Sequence, residues 1–380
     1  MFKMLSSFER IIFSISPKRL YVTLWLIQLV KTGVWFFPYI GQNVSYPFDM
    51  PVHAGYRFTN WFAWFLAWCL NIKTIPLLIG LFFIFALGFS WIVYKLITRY
   101  LSDDSARVAI IIFFLLPVSG TVYYWLDFDA ITLFLMALII YRMDSWHVAL
   151  FSGIVLGLNH FQQSMVAFGA LLFAMILARE LFKKQALCVL LGVLLGKLGL
   201  MLLFHFRHIE ISYDRFYWML RHLPRLFYEF LYSIHPILWS VLGLAWIVAI
   251  IYAEQGRKTL PFFLTLLGLI GIVPFIEDET RVIAIISFPL LTVFWLKNEQ
   301  FLKKLPKQLM ALLCLIWVFL PWAWVWQSGV RSSMFPYDVV FVLHKTFGWF
   351  TVPPNNSGNA LGEWAVLPSK SSMAIPLRRV

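Results

Sequence analysis

The sequence has little charge for its length. Of its 380 residues only 13% are Asp, Glu, Lys or Arg, whereas 61% are hydrophobic and 19% are aromatic. A soluble domain usually carries about 25% charged residues, so this composition excludes an ordinary soluble globular protein. Apolar runs close to the length of a membrane-spanning helix recur along the chain, and we therefore predict an all-α polytopic membrane protein.

Cysteines and nucleotide-binding motifs are also scarce. The three cysteines have no spacing typical of a metal site or a disulfide framework. A phosphate-cradling glycine loop, a G-x-S-x-G elbow and an HExxH motif are missing, which argues against a nucleotide-driven enzyme. The net charge of +13 does not indicate a nucleic-acid partner, because Lys and Arg fall mainly in short loops between apolar runs.

The apolar runs predict about 11 transmembrane helices, within a range of roughly 10 to 13. The stretch 147–178 also reads as one long interrupted element instead of two spans. The predicted segments are 20–38, 74–94, 108–125, 130–141, 147–159, 164–178, 186–204, 236–253, 260–275, 282–296 and 308–326.

The distribution of Lys and Arg predicts the orientation of the chain. It favours a cytoplasmic N-terminus, an external C-terminus and a location in the plasma (inner) membrane. Asp, Glu and His fall mostly on the outer side, which indicates an outward-facing site, although longer outer loops explain part of this bias. We predict one transmembrane domain over 1–328 with outer loops 39–73 and 205–235, followed by an outer tail over 329–380.

The loop 205–235 interleaves arginines with aromatic residues. This pattern predicts one or two interfacial amphipathic helices on the outer face, broken near Pro224. Arg207 and Arg215 are candidate ligands for a lipid phosphate, because a guanidinium offers a planar fork of donors. The alternative is a helix that only anchors the fold.

A first candidate site follows the first span. Asp49 stands just beyond the apolar run, with His53 and Arg57 four and eight residues later. A partly desolvated carboxylate near a cation can act as a base or a metal ligand, so Asp49 is a candidate catalytic residue and the other two are candidate substrate ligands. The alternative is that Asp49 caps the helix predicted over 56–72.

A second candidate site lies at the outer end of the third span. Asp127 and Asp129 are two residues apart in the sequence WLDFDAITLF. One of them is expected to cap the fourth span, since Asp is a favoured N-cap. The other exceeds what a cap requires, so both are candidate catalytic residues facing a cation or a sugar hydroxyl.

Polar residues inside apolar spans give further candidates. A third candidate site interrupts an otherwise apolar stretch at its outer turn, and its residues are either a plain turn or hydrogen-bonding partners of a sugar or pyrophosphate. They are Asn159, His160, Gln162 and Gln163. Lys197 lies near mid-span and is predicted to face a phosphate or pair with an acid. Lys31 lies nearer a span end, and we expect it to snorkel to the surface.

The turn before the tenth span is strongly charged. Arg281 begins that span and is the best candidate for a phosphate clamp. Glu277, Asp278 and Glu279 precede it and are candidate ligands for a divalent cation, or else form a solvated turn or pair with the loop arginines. The sequence specifies no cofactor beyond this candidate cation.

The layout of residues 1–300 resembles the GT-C class of membrane glycosyltransferases. Asp49 matches the acid of the first outer loop in that class, followed here by Met50 and not by a second acid, and 56–72 matches the interfacial helix. The resemblance implies transfer of a sugar from a polyprenyl-phosphate-linked donor to a glycan, lipid or protein acceptor, with inversion. Asp49 would act as base, and Arg or Lys would stabilise the departing lipid phosphate.

Other classes remain open from the sequence. An O-antigen or capsule polysaccharide polymerase would depend on outer-loop arginines instead of an acid. A transporter or flippase of lipid-linked sugars would favour polar residues on broken helices near mid-membrane. A non-catalytic assembly subunit is a further alternative.

Overall fold

The computed structural model describes residues 2–34, 47–48, 54–124, 126–179, 183–209, 214–232, 234–276, 279–320, 323–326 and 329–332. Over these residues the fold is almost entirely helical, as the composition predicts. The α-helices are α1 (Phe2–Ser14), α2 (Pro17–Thr32), α3 (Ala54–Cys69), α4 (Ile75–Tyr100), α5 (Asp103–Leu115), α6 (Val118–Tyr124), α7 (Asp129–Tyr141), α8 (Trp146–Ala178), α9 (Lys183–Phe206), α10 (Asp214–Tyr232), α11 (Ile234–Leu242), α12 (Trp246–Ala253), α13 (Leu260–Ile272), α14 (Glu279–Leu291), α15 (Glu299–Leu302) and α16 (Lys307–Phe319).

Short elements complete the fold. A π-helical turn, Thr292–Leu296, extends α14. Strands β1 (Ala323–Trp326) and β2 (Gly329–Ser332) pair in an antiparallel hairpin. The domain boundary predicted between residues 328 and 329 therefore falls inside a hairpin, at the first residue of β2.

The helices support the membrane class but not the predicted number of spans. Within the described residues, four helical stretches are long and apolar enough to cross a membrane by length and composition, with α8 counted as one stretch, and the number rises to six if each of two bent pairs counts as one span. The prediction of about 11 transmembrane helices is not supported by this measure, because several apolar helices are shorter than a full span. Those shorter helices are Asp129–Tyr141, Thr280–Leu296 and Lys307–Phe319.

The core lies around α5, α7 and α14. Nearly every side chain of α5 from Ser105 to Leu115 is buried, and α7 is buried to a similar extent. Helix α4 packs against α7, α2 and α16 pack against α5, and α8 packs against α14. Large apolar side chains on the outer surface of α8 and α9, such as Phe151 and Leu198, are exposed, as expected for helices that face lipid.

Helices α8 and α9 approach each other through glycines. A β-carbon at Gly153 would lie 2.6 Å from the carbonyl oxygen of Val189, and a β-carbon at Gly157 would lie 3.0 Å from the backbone nitrogen of Lys197. Only glycine therefore permits this backbone contact. Residues with higher numbers on α8 contact residues with higher numbers on α9. The first part of α8 therefore runs parallel to α9.

This parallel contact requires the chain to reverse inside α8. Gly157 and Lys197 lie side by side at the contact. If α8 were straight, Ala178 would lie about 30 Å beyond this point in the direction of α9, whereas Lys183 lies about 20 Å before it. The link from Ala178 to Lys183 spans at most about 19 Å. The backbone leaves the helical region at His160 (φ −152°, ψ 78°), so α8 is a helical hairpin with arms 146–159 and 161–178. Of the two alternatives that the sequence leaves open for 147–178, the reversal at His160 corresponds to two separate segments joined by a turn and not to one long interrupted element.

The end of the bundle opposite this reversal carries a network of ion pairs. Asp104 contacts Arg107 at 2.8 Å and Lys307 at 2.9 Å, and Glu299 contacts Lys303 at 3.0 Å. Hydrogen bonds from Ser102 and Lys303 hold the pKa of Glu299 below its ordinary value. This is the end that the sequence assigns to the cytoplasm.

Helix α10 differs from its prediction. The break expected near Pro224 is wrong, because α10 continues through this proline from Asp214 to Tyr232. Pro224 is exposed, so the hydrogen bond that proline removes is lost on the outward side of the helix, where the freed carbonyl can be solvated.

Candidate functional site

The candidate site is a buried cluster of one guanidinium and two carboxylates. Arg281, in the first turn of α14, donates from Nη1 to Oδ2 of Asp127 at 3.2 Å and to Oδ2 of Asp129. The side chains of both acids are 2% exposed, and that of Arg281 is 15% exposed. Burying an isolated charge costs several kcal/mol, and these ion pairs offset that desolvation cost.

The turn between α6 and α7 sets the position of the two acids. Oδ1 of Asp127 accepts a hydrogen bond from the backbone N–H of Asp129 at 2.8 Å, at the first residue of α7. Asp127 therefore satisfies an N–H group that the start of a helix leaves open. The predicted capping role applies to Asp127, and the same residue is also an ion-pair partner of Arg281.

The reversal in α8 meets this acidic turn. Asn159, the last residue of the first arm, is fully buried and donates from Nδ2 to the carbonyl oxygen of Phe128 and to Oγ1 of Thr132, each at 3.0 Å. The rings of His160 and Phe128 have centroids 5.9 Å apart. The second and third candidate sites of the sequence are therefore one site in the structure.

Gln163 lies one turn into the second arm of α8. Its side chain is 5% exposed, and Oε1 has no hydrogen-bond donor among the residues that the structure describes. A buried amide oxygen without a donor costs about 1–3 kcal/mol. Gln163 is thus a group able to accept a hydrogen bond from a ligand at the reversal.

Helix α7 is shorter than a full-length span. Helix α7 has 13 residues and rises only about 20 Å, whereas the hydrocarbon core of a bilayer is about 30 Å thick. If the C-terminal end of α7 lies at one membrane surface, the acids at its other end lie about 10 Å below the opposite surface. The first arm of α8 has a similar length and stops at the same depth.

Lys197 lies beside the reversal, on α9. Its Nζ stands 5.5 Å from the ring centroid of Phe161, the first residue of the second arm. The side chain is partly buried, between the exposed Leu194 and Leu198. Its Nζ is itself buried, so the ammonium group lies inside the bundle beside the reversal.

Arg207 and α3 form a separate aromatic cluster at the end of α9. The guanidinium of Arg207 lies 5.2 Å from the ring centroid of Phe48, and Phe48 contacts Trp61 and Phe65 edge to face. The helix expected over 56–72 is present as α3, and its interfacial position stays a prediction. Arg207 is exposed and its guanidinium remains open to solvent on one side.

Several candidate residues lie outside the described part of the chain. These are Asp49, His53, Glu277 and Asp278, so their predicted roles stay predictions. Arg57, Arg215 and Glu279 belong to α3, α10 and α14, and their side chains also lie outside the description. Among the side chains that are described, no group of three or more His, Cys, Asp or Glu residues is arranged to hold a metal ion.

Lys31 does not behave as the sequence suggests. The predicted snorkelling is wrong, because its side chain is 1% exposed and Nζ donates to the carbonyl oxygen of Trp317 and lies 4.6 Å from the ring centroid of that residue. Gln28 and Thr32 are also fully buried. These positions share one helix face with Lys31, and this polar stripe was the available signal that the lysine points inward.

No protein-family model, curated protein or solved structure matches this chain. The convergence of the acidic turn, Arg281 and the reversal of α8 is therefore the basis for inferring a function.

Proposed function

We propose that this chain is an inverting, GT-C-like glycosyltransferase of the plasma membrane. It would transfer a sugar from a polyprenyl-phosphate-linked donor to a glycan, lipid or protein acceptor on the outer face. The single observation that carries the proposal is the buried pairing of Asp127 and Asp129 with Arg281. A carboxylate held in place close to lipid is the base that such a transfer requires.

The chemistry needs one proton acceptor and one leaving group. A carboxylate of the acidic turn takes the proton of the acceptor hydroxyl, whose oxygen forms a bond to the anomeric carbon of the donor. The bond between that carbon and the phosphate oxygen breaks, and the polyprenyl phosphate leaves with the electron pair. No further reactant is needed to balance this step.

The cations of the site have different proposed roles. Arg281 contacts both carboxylates of the acidic turn and thereby fixes their positions. We therefore assign Arg281 to holding the acids instead of the phosphate clamp. Lys197, beside the reversal, and Arg207, at the aromatic cluster, are the described candidates for the phosphate.

The span layout belongs to the same proposal. A helix lies in each of the 11 or so predicted segments, and the reversal at His160 supplies the break between the fifth and the sixth. The ion-pair network and the acidic turn lie at opposite ends of α7, which supports a cytoplasmic N-terminus and an external active face.

The test is donor turnover by purified protein in vesicles. The substrates would be a panel of synthetic polyprenyl-phosphate hexoses and pentoses with tritiated polyprenyl chains, each offered with glycan and lipid acceptors that carry free hydroxyls, and the readout would be release of tritiated polyprenyl phosphate. We expect Asp127→Asn and Asp129→Asn to lower turnover at least about 100-fold, the usual scale of a lost general base. The matched control is Asp144→Asn at the opposite end of the bundle, which keeps wild-type turnover.

Outcomes of this test separate the candidate sites. Wild-type turnover in both variants of the acidic turn would remove this turn from the mechanism. Loss in Asp49→Asn, with folding intact by size-exclusion chromatography, is expected if the first outer loop supplies a second acid. Loss in Arg281→Ala without loss in Asp49→Asn or in either variant of the acidic turn favours a polysaccharide polymerase.

A transporter or flippase is the second candidate, and the reversal at His160 favours it. Broken helices with polar residues are typical of the binding sites of secondary transporters. Movement of a lipid-linked sugar across vesicles of purified protein, without any covalent product, would support this candidate and contradict the transferase.

A further inference from the structure

The side-chain amide of Asn159, on α8, is fully buried and forms hydrogen bonds to the acidic turn and to α7. Asn159 uses both hydrogens of Nδ2, one toward the carbonyl oxygen of Phe128 and one toward Oγ1 of Thr132. We infer that Asn159 is a positioning residue, which holds the turn 126–129 in the geometry that the reaction needs. This inference rests on the proposed function of the turn.

The position of Phe128 explains why this contact controls both acids. Phe128 stands between Asp127 and Asp129, and its carbonyl oxygen also accepts hydrogen bonds from the backbone N–H and Oγ1 of Thr132 at 3.2 Å and 3.3 Å. The orientation of this peptide sets the directions in which the two neighbouring carboxylates leave the chain. A movement of the amide of Asn159 is therefore transmitted to both carboxylates that pair with Arg281.

The chemistry of the contact selects an amide. The carbonyl oxygen accepts only, so position 159 must donate, and Asp at this position would supply no donor beside a carbonyl and two carboxylates. Leu matches Asn in size and removes both hydrogen bonds. Gln keeps both donors on a longer stem and is the conservative variant.

The first measurement is independent of any substrate. Hydrogen exchange of the full-length protein in detergent reports on the peptide that covers residues 126–132. In Asn159→Leu we expect exchange of the Asp129 amide to be about tenfold faster, the factor that loss of a hydrogen bond of about 1.4 kcal/mol produces. Thr132→Val removes one of the two acceptors without changing size and should give a smaller increase.

The control is Ser164→Ala. Ser164 is also fully buried at the reversal, but its Oγ donates within its own arm, to the carbonyl oxygen of His160 at 2.7 Å. The inference would be overturned by an unchanged exchange rate in Asn159→Leu, or by an equal increase in Ser164→Ala. Either result would show that the amide of Asn159 does not specifically stabilise the turn.

The second measurement uses the donor panel described above. A positioning role predicts that Asn159→Leu lowers kcat at least about tenfold with an unchanged KM for the donor, and that Asn159→Gln restores part of kcat. A change in KM alone would overturn the role in the reaction. If wild-type protein turns over no donor, the proposed function fails, while the exchange measurement still decides whether Asn159 holds the turn.

Discussion

The glycine contact between α8 and α9 gives the sharpest stability prediction. A β-carbon at Gly153 would lie 2.6 Å from the carbonyl oxygen of Val189, and one at Gly157 would lie 3.0 Å from a backbone nitrogen of α9. Both obstacles are backbone atoms, so no side-chain rotation relieves them. Because carbon atoms pack at about 3.5–4.0 Å, the double variant Gly153→Ala/Gly157→Ala must push the two helices about 1 Å apart.

The chain supplies a matched control for this perturbation. Gly169 lies in the second arm of α8 and Gly199 lies in α9, and a β-carbon at either meets nothing within 4 Å. Gly169→Ala/Gly199→Ala therefore gains the same helix propensity, about 1 kcal/mol per site, without the clash. The difference between the two double variants isolates the cost of overpacking, about 1–3 kcal/mol per site.

The assay is thermal unfolding of both double variants in the same detergent, followed by tryptophan fluorescence. We expect the Tm of Gly153→Ala/Gly157→Ala to lie at least about 4 °C below that of the control, at roughly 2 °C per kcal/mol for a chain of this size. Equal Tm values would refute the reasoning, since they would show that the parallel contact of α8 and α9 does not constrain the fold.

Two further predictions concern the ion pairs and the reversal. Arg281→Gln leaves two buried carboxylates without their guanidinium and should cost about 3–5 kcal/mol, whereas Asp144→Asn breaks an exposed pair and should cost under about 1 kcal/mol. Their Tm values should differ accordingly, and a similar loss in both would contradict the burial of the site. Single cysteines placed at Ser145 and Arg179 in a cysteine-free background should react with an impermeant maleimide from the same side of a vesicle. Labelling from opposite sides would contradict the reversal at His160.

The sequence predicted the fold class because composition alone decides it. A chain with so little charge and so much apolar surface must satisfy its backbone polar groups within helices when it enters lipid. The number of spans was harder to predict. Apolar length does not distinguish a short buried helix such as α7 from a complete span.

The charged members of the candidate site were predicted, and they were expected to face one outer site, but the ion pairs between them were not predicted. Asp127 and Arg281 are 154 residues apart, and the sequence gives each a local explanation, a cap for one and a phosphate clamp for the other. Only the packing of α7 against α14 shows that they neutralise each other. The polar stretch at residues 159–163 was predicted to be either a turn or a set of ligand partners, and its contact with Thr132 depends on the packing of α8 against α7.

Local patterns failed where the surroundings of a side chain decide its position. Lys31 was expected to reach the surface because it lies near a span end, yet its Nζ donates a hydrogen bond to the carbonyl oxygen of Trp317 inside the bundle. Pro224 was expected to break a helix, yet its exposed side allows α10 to continue.

The hairpin shape of α8 has a consequence for how this protein can vary. A segment that enters and leaves the membrane on the same side crosses it an even number of times. Its length and sequence can therefore change without inverting the orientation of the helices that follow. Residues 146–178 thus form a cassette, and exchange of this cassette would alter the surroundings of the two acids while α9 to α16 keep their orientation.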